Sequence, residues 1–195
     1  MKQIILASGS PRRKMLLEWA EVNFKVMVSD IDETFSKELL PAEVAISIAK
    51  NKNAAIVEQL KDELLNSIVL SADTIVVLDH EIIGKPANRE EAIAIIQKLS
   101  GKTHQVITAV NLRDAEKDIC FYDTTEVVFN KLTPTQITHY VDQYKPYDKA
   151  GAYAIQEWIG VVGIHAIYGD FYNVMGLPVS KVLKVLKEDF SFSVG

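Results

Sequence analysis

One carboxylate stands inside an aliphatic run, Ile68-Val69-Leu70-Ser71-Ala72-Asp73-Thr74-Ile75-Val76-Val77-Leu78. Such a run reads as a strand buried on both faces of a sheet. A bare buried carboxylate costs on the order of several kcal/mol unless it is paired, hydrogen-bonded or bound to a metal. Asp73 is therefore the first candidate for chemistry; the plain alternative is an Asx turn, with Ser71 to Thr74 bending the chain between two short strands. Arg12 and Arg13 stand in the first turn of an expected helix, where cations oppose the helix dipole unless an anion arrives to use both. The alternative there is two solvated arginines on a surface helix. Ser29-Asp30-Ile31-Asp32-Glu33-Thr34 gathers three carboxylates, which suits a hard cation such as Mg²⁺ and equally suits an exposed loop. Lys52 falls on the apolar stripe of another expected helix, where it either snorkels to water or points into a cleft. Phosphoryl substrates need such a mixture: cations and aligned donors for their charge, and a carboxylate or metal to orient water.

The elements that must carry these groups follow from pattern. Ile4 to Ala7 reads as a first strand, and Ser10 and Pro11 as the N-cap and first position of the helix through Trp19. Phe24 to Val28 is a second strand leading to the acid cluster. Pro41 to Leu60 is a helix whose stripe is Ala45, Ile48, Ala49, Ala55 and Ile56. After the Asp73 strand, Asp79-His80-Glu81 turns the chain into Ile82-Ile83-Gly84-Lys85-Pro86, which lacks the spacing of a P-loop. Asn88 and Glu91 suggest a capping box for a helix over Arg89 to Leu99, closed by Ser100-Gly101. Gln105 to Leu112 and Ile119 to Phe129 form an antiparallel hairpin, and Thr133-Pro134 opens a helix to about Tyr144. Residues 147–156 read as loop, Ile159 to Tyr168 as a strand turned by Gly169-Asp170, and Pro178 opens a last helix. Strands and helices intermix around a hairpin, so the expected class is α/β with a mixed, highly twisted sheet.

The 195 residues suit one domain or two small lobes around a cleft, with 48% hydrophobic and 24% charged residues. The net charge of −5 argues against binding a nucleic-acid polymer, and no apolar run reaches membrane-span length. Neither a signal core with a cleavage site nor a second cysteine beside Cys120 is present, so a cytoplasmic address is expected. His80, His104, His139 and His165 are scattered without a His-x-x-x-His pair, which argues against zinc.

Ala7-Ser8-Gly9-Ser10-Pro11-Arg12-Arg13-x-x-Leu16-Leu17 resembles the signature of the Maf family of nucleotide pyrophosphatases. The resemblance continues through Asp32-Glu33, Ala49 to Lys52, Ser71-Ala72-Asp73-Thr74, Gly84-Lys85-Pro86 and Leu99-Ser100-Gly101-x-x-His104. It ends with Asp148 to Tyr153, Ile155-Gln156 and Asn173-Val174-x-Gly176-Leu177-Pro178. It implies one Maf-like domain over 1–195, two lobes around a central cleft, and a fold like that of inosine-triphosphate pyrophosphatases. It also implies divalent-metal-dependent (Mg²⁺ or Mn²⁺) hydrolysis of a nucleoside triphosphate to the monophosphate and pyrophosphate, with Asp73 as catalytic acid/base. Arg12, Arg13, Lys52, Lys85, Ser8 and Ser10 would hold the substrate, and Glu33 and Asp73 the metal. The dTTP/UTP branch is marked by Arg12, Thr74 and Gln156. Ala154 and Glu157 replace glycines usual around that glutamine, and Glu157 brings negative charge near the expected base pocket. A homodimer and a link to inhibition of septum formation also come with the resemblance.

Two other functions fit parts of the chain. Asp30-Ile31-Asp32-Glu33-Thr34 matches the opening Asp-x-Asp-x-Thr of haloacid-dehalogenase-type phosphatases, which form an aspartyl-phosphate. It leaves the Ser-Pro-Arg-Arg segment unexplained, and no second acid closely follows Asp170. A regulator of septum formation that binds nucleotide without turnover is the other; the products separate all three.

Overall fold

The first apolar run forms strand β1 (Gln3–Leu6), and the Ser-Pro start is followed by helix α1 (Pro11–Trp19), which buries Arg13, Leu16 and Leu17. Ser10 occupies the N-cap position, but its side chain makes no capping hydrogen bond. The computed structural model describes residues 2–193 apart from Asp32, Phe35 and Lys37. Asp32, part of both the family resemblance and the phosphatase-like motif, thus lies outside the described residues.

Strand β2 (Phe24–Val26) is shorter than expected; helix α2 has the expected bounds, Pro41–Leu60. Its buried face is Val44, Ala45, Ile48, Ala49, Asn53, Ile56 and Leu60, a helical spacing that includes Asn53 and leaves Ala55 half-buried. After a 3-10 turn over Lys61–Asn66, strand β3 runs unbroken from Ser67–Leu78 and is buried at every position except Thr74. The Asx-turn alternative is thereby excluded: Asp73 is in the middle of a regular strand. Strand β4 (Glu81–Ile83) pairs antiparallel with β3. Helix α3 (Arg89–Leu99) is capped by Asn88, whose side chain accepts from the Glu91 N–H at 2.9 Å. The reciprocal half of that box differs, because Glu91 accepts from the Ala87 N–H instead.

Strands β5 (Thr103–Arg113) and β6 (Asp118–Phe129) make the hairpin, closed by the Asp114 N–H donating to the Lys117 carbonyl at 3.0 Å. Helix α4 (Pro134–Tyr144) carries the full Thr133/Gln136 capping box. The strand expected over Ile159 to Tyr168 is corrected in its first half. Trp158–Gly163 is helix α5, and only Ile164–Tyr168 is strand, β7. Burial of Ile159 and Gly163 with exposure of Val161 is helical periodicity. A further short helix not expected from the sequence, α6 (Phe171–Met175), precedes α7 (Val179–Phe190).

The sheet order is β2-β1-β3-β5-β6-β7, with β4 also on β3. β1 pairs parallel with β2 and with β3, whereas β6 pairs antiparallel with β7, so the sheet is mixed as expected. The chain divides into two compact units. Met1–Asp73, Thr108–Asp123 and Gly176–Gly195 form the first; Thr74–Ile107 and Thr124–Met175 form the second. In the first, Ile5, Ala7, Ile56, Leu60 and Val69 form one apolar cluster. In the second, α3 packs on α4, and His104, Phe129 and Tyr153 meet edge to face with centroids 5.0–5.4 Å apart. Among the described residues no helix is long and apolar enough to cross a membrane.

Candidate active site

The loop between β1 and α1 begins where the Ala7 N–H donates to Leu70 of β3 at 2.8 Å. Ser8 and Arg13 are both buried, and Arg13 Nη1 donates to Ser8 Oγ at 3.0 Å. Arg13 Nε donates to the Gly176 carbonyl at 2.8 Å, and the Ser10 N–H reaches Ser8 Oγ at 3.3 Å. The reading of both arginines as solvated therefore fails for Arg13; Arg12 is half-buried. Burial pushes the Arg13 pKa down, opposed by the charge of Asp73, reinforced by Arg12, and opposed again by Glu33. These four charges therefore act on one another within the first unit.

Asp73 is 8% exposed. Lys52 Nζ lies 2.7 Å from Asp73 Oδ1 and 2.7 Å from Glu33 Oε1. The lysine neither snorkels nor stands alone: it bridges two carboxylates, which is how a buried cation and a buried acid satisfy each other. α2 is pinned to β3 in the register this requires. Ser71 Oγ donates to the Ala49 carbonyl at 2.7 Å, and Asn53 Nδ2 donates to the carbonyls of Val69 at 3.0 Å and Asn111 at 3.1 Å. Asn53 and Asn111 were not anticipated from the sequence, and Ser71 and Gly176 figured there only within motifs, with no role assigned. Asn53 could have been found, since it lies four residues from Ala49 on the same helix face.

The structure thus brings together Ser8, Ser10, Arg12, Arg13, Glu33, Lys52 and Asp73, all in the first unit. Thr74, Lys85 and Gln156 belong to the second. Thr74 follows Asp73 on a regular strand, so its side chain takes the opposite face. Lys85 and Gln156 are exposed, and the loops that carry them are joined by the Gly151 N–H donating to the Gly84 carbonyl at 3.1 Å. Gly151 has φ +70°, and a Cβ there would lie 2.9 Å from Val76 Cγ2, so the close approach requires glycine.

No group of three or more His, Cys, Asp or Glu side chains suited to a metal occurs among the described residues. Glu33 and Asp73 nevertheless fit a hard divalent ion. They are two oxygen donors that already converge on a single cationic atom, and Mg²⁺ commonly takes one or two carboxylates with substrate phosphates completing its shell.

A family model described as "Maf-like protein" matches residues 3–189. A dTTP/UTP pyrophosphatase of Cytophaga hutchinsonii is 47% identical over 96% of this chain and 84% of its own. One of Parabacteroides distasonis is 46% identical over 95% of each chain, and one of Bacillus cereus is 46% identical over 96% of each. Among solved structures, the Staphylococcus aureus Ham1 protein aligns over 66% of this chain and 72% of its own, at 17% identity and a TM-score of 0.47.

Proposed function

The chain belongs to the Maf family, and from that premise we propose that it hydrolyses dTTP and UTP to the monophosphate and pyrophosphate. The observation that carries the reading is the buried Asp73 carboxylate held by Lys52, beside Glu33 and the two arginines at the start of α1.

Water attacks the α-phosphorus, the bond from that phosphorus to the oxygen bridging to the β-phosphorus breaks, and pyrophosphate leaves with that oxygen. Asp73 accepts the proton that the attacking water gives up, at the carboxylate oxygen not engaged by Lys52. The Lys52 ammonium orients Asp73 by donating to its Oδ1 at 2.7 Å. Arg12 and Arg13 hold phosphate oxygens with their planar forks, Ser8 and Ser10 orient the loop against the substrate, and Lys85 contributes a point charge. Charge spread over the phosphate oxygens in the transition state is what these donors stabilise. Glu33 and Asp73 would hold Mg²⁺ or Mn²⁺; when bound, such an ion neutralises phosphate charge and makes water a better nucleophile. We assign base preference to Arg12, Thr74 and Gln156, the glutamine offering both a donor and an acceptor to a pyrimidine edge. The reaction is placed in the cytoplasm, where nucleoside triphosphates are abundant, and the proposal includes a homodimer that sedimentation equilibrium would test.

The test is product analysis over a panel of nucleoside triphosphates, with and without a chelator. Metal-dependent pyrophosphate release, fastest from dTTP and UTP, is the expected result. Inorganic phosphate as first product would favour the phosphatase motif at Asp30 to Thr34, and tight binding without turnover a regulator; either would remove this reading. Equal release from every triphosphate would remove the base preference and leave the reaction class standing.

A further inference from the structure

Gln156 is exposed on a turn whose preceding residues, Ala154 and Ile155, are 5% and 4% exposed. The turn is closed by the Glu157 N–H donating to the Ala154 carbonyl at 3.1 Å, and the Gly160 N–H donates to the Glu157 carbonyl at 2.9 Å. Helix α5 comes so close that a Cβ on Gly160 would lie 1.7 Å from the Ile155 carbonyl oxygen. From the other side comes Tyr140, fully buried on α4. Its hydroxyl accepts from the Ala154 N–H at 3.1 Å and donates to Glu157 Oε2. Lys149, buried in turn, lies 3.6 Å from Glu157 Oε1 and 2.8 Å from Asp148 Oδ1.

We propose that Tyr140, Glu157 and Lys149 form a positioning network that fixes the turn carrying Gln156 and so sets the discrimination between pyrimidine and purine triphosphates. The proposal rests on the assignment of Gln156 to base preference. A glutamine amide presents a donor and an acceptor and can exchange them by rotating, so it selects a base only when its backbone is placed to within a fraction of an ångström. Tyr140 provides that placement by holding the backbone two residues before Gln156, at the Ala154 N–H, and the side chain immediately after it, at Glu157. Glu157 is correspondingly not a loose negative charge beside the base. Its carboxylate is occupied by a hydroxyl donor on one oxygen and faces an ammonium on the other. Of the two departures from the usual glycines, Glu157 supplies the side-chain acceptor that Tyr140 uses, whereas Ala154 bonds through a backbone N–H that a glycine would also offer.

The experiment compares kcat/KM for UTP and for a purine triphosphate in the full-length chain. Tyr140→Phe and Glu157→Ala are each expected to lower the pyrimidine-to-purine ratio by about tenfold or more, the scale of one lost hydrogen bond to a charged group. Glu157→Gln, which still accepts from Tyr140, is expected to retain most of the ratio. In a Gln156→Ala background, Tyr140→Phe should change the ratio no further, because residues that act through one another are not additive. A wild-type ratio in both Tyr140→Phe and Glu157→Ala, or an equal drop with and without Gln156, overturns the network. A wild-type ratio in Gln156→Ala overturns instead the assignment on which the network rests. Should Tyr140→Phe not fold, the contrast between Glu157→Ala and Glu157→Gln decides.

Discussion

A carboxylate and an ammonium 2.7 Å apart in a nearly dry site invite a substitution that keeps shape and changes charge. Asp73→Asn keeps the volume and leaves Lys52 paired with Glu33, so the fold is expected to survive with an unchanged circular dichroism spectrum. It cannot take up a proton, and pyrophosphate release should fall at least about a hundredfold, the scale of a lost transition-state contact. Turnover near that of the wild type would remove Asp73 from catalysis. Arg13 makes a second case. Its fork reaches the Gly176 carbonyl with one nitrogen and Ser8 Oγ with another, a pairing that an ammonium cannot reproduce. Arg13→Lys is expected to raise KM for the triphosphate about tenfold or more and to lower the melting temperature, read by steady-state kinetics and calorimetry; unchanged values of both would show that only the charge matters. At this scale the sequence was informative about type and silent about partners. An acid among aliphatics and two arginines at a helix start are visible in a string of letters. That Arg13 is buried against a carbonyl far along the chain is not, because Gly176 becomes its neighbour only through the fold.

Elements decide whether those side chains meet. Helix α2 sets Lys52 opposite Asp73 only while its register against β3 holds, and Asn53 secures that register through two carbonyls. Asn53→Ala removes both donors and is expected to cost about 2 kcal/mol in urea unfolding, since buried acceptors lose partners that water does not replace. It should also lower kcat more than it raises KM, because Lys52 shifts relative to the acid and the phosphate-binding loop does not. An unchanged kcat in a destabilised variant would separate the register from catalysis. The helix bounds of α2 and α3 were readable because each begins with a proline or a capping asparagine and continues as a long apolar stripe. The segment Trp158-Ile159-Gly160-Val161-Val162-Gly163 was not. Its valines and isoleucine favour strand locally, and a run this short has no decisive period. Tertiary fit settles it as helix α5, with Gly160 pressed against Ile155 and the Gly163 carbonyl taken by the Asn130 N–H.

For the molecule as a whole, stability against acid hangs in part on a histidine to which the sequence assigned no chemistry. His104 occurs in the Leu99-Ser100-Gly101-x-x-His104 motif, and Tyr153 in another motif 49 residues away. The structure places their side chains in contact, Nε2 to hydroxyl at 2.7 Å, with Nδ1 making no hydrogen bond. Burial pushes the His104 pKa down from 6.5 to about 4. Between those values the unfolded chain takes up a proton that the folded chain refuses. Its contribution is therefore complete above the unfolded value and is lost as pH falls toward the folded one. From pH 7 to pH 5 this residue alone should remove about 2 kcal/mol of unfolding free energy. His104→Gln still offers the Tyr153 hydroxyl a partner but cannot titrate, so its urea-unfolding free energy should be flatter across the same interval. Identical pH slopes in the two proteins would mean that His104 is not the group refusing the proton. Asp73 has a lysine within hydrogen-bonding distance at a site that Glu33 leaves partly open, whereas His104 is packed edge to face against the Phe129 and Tyr153 rings and its pKa is lowered by burial.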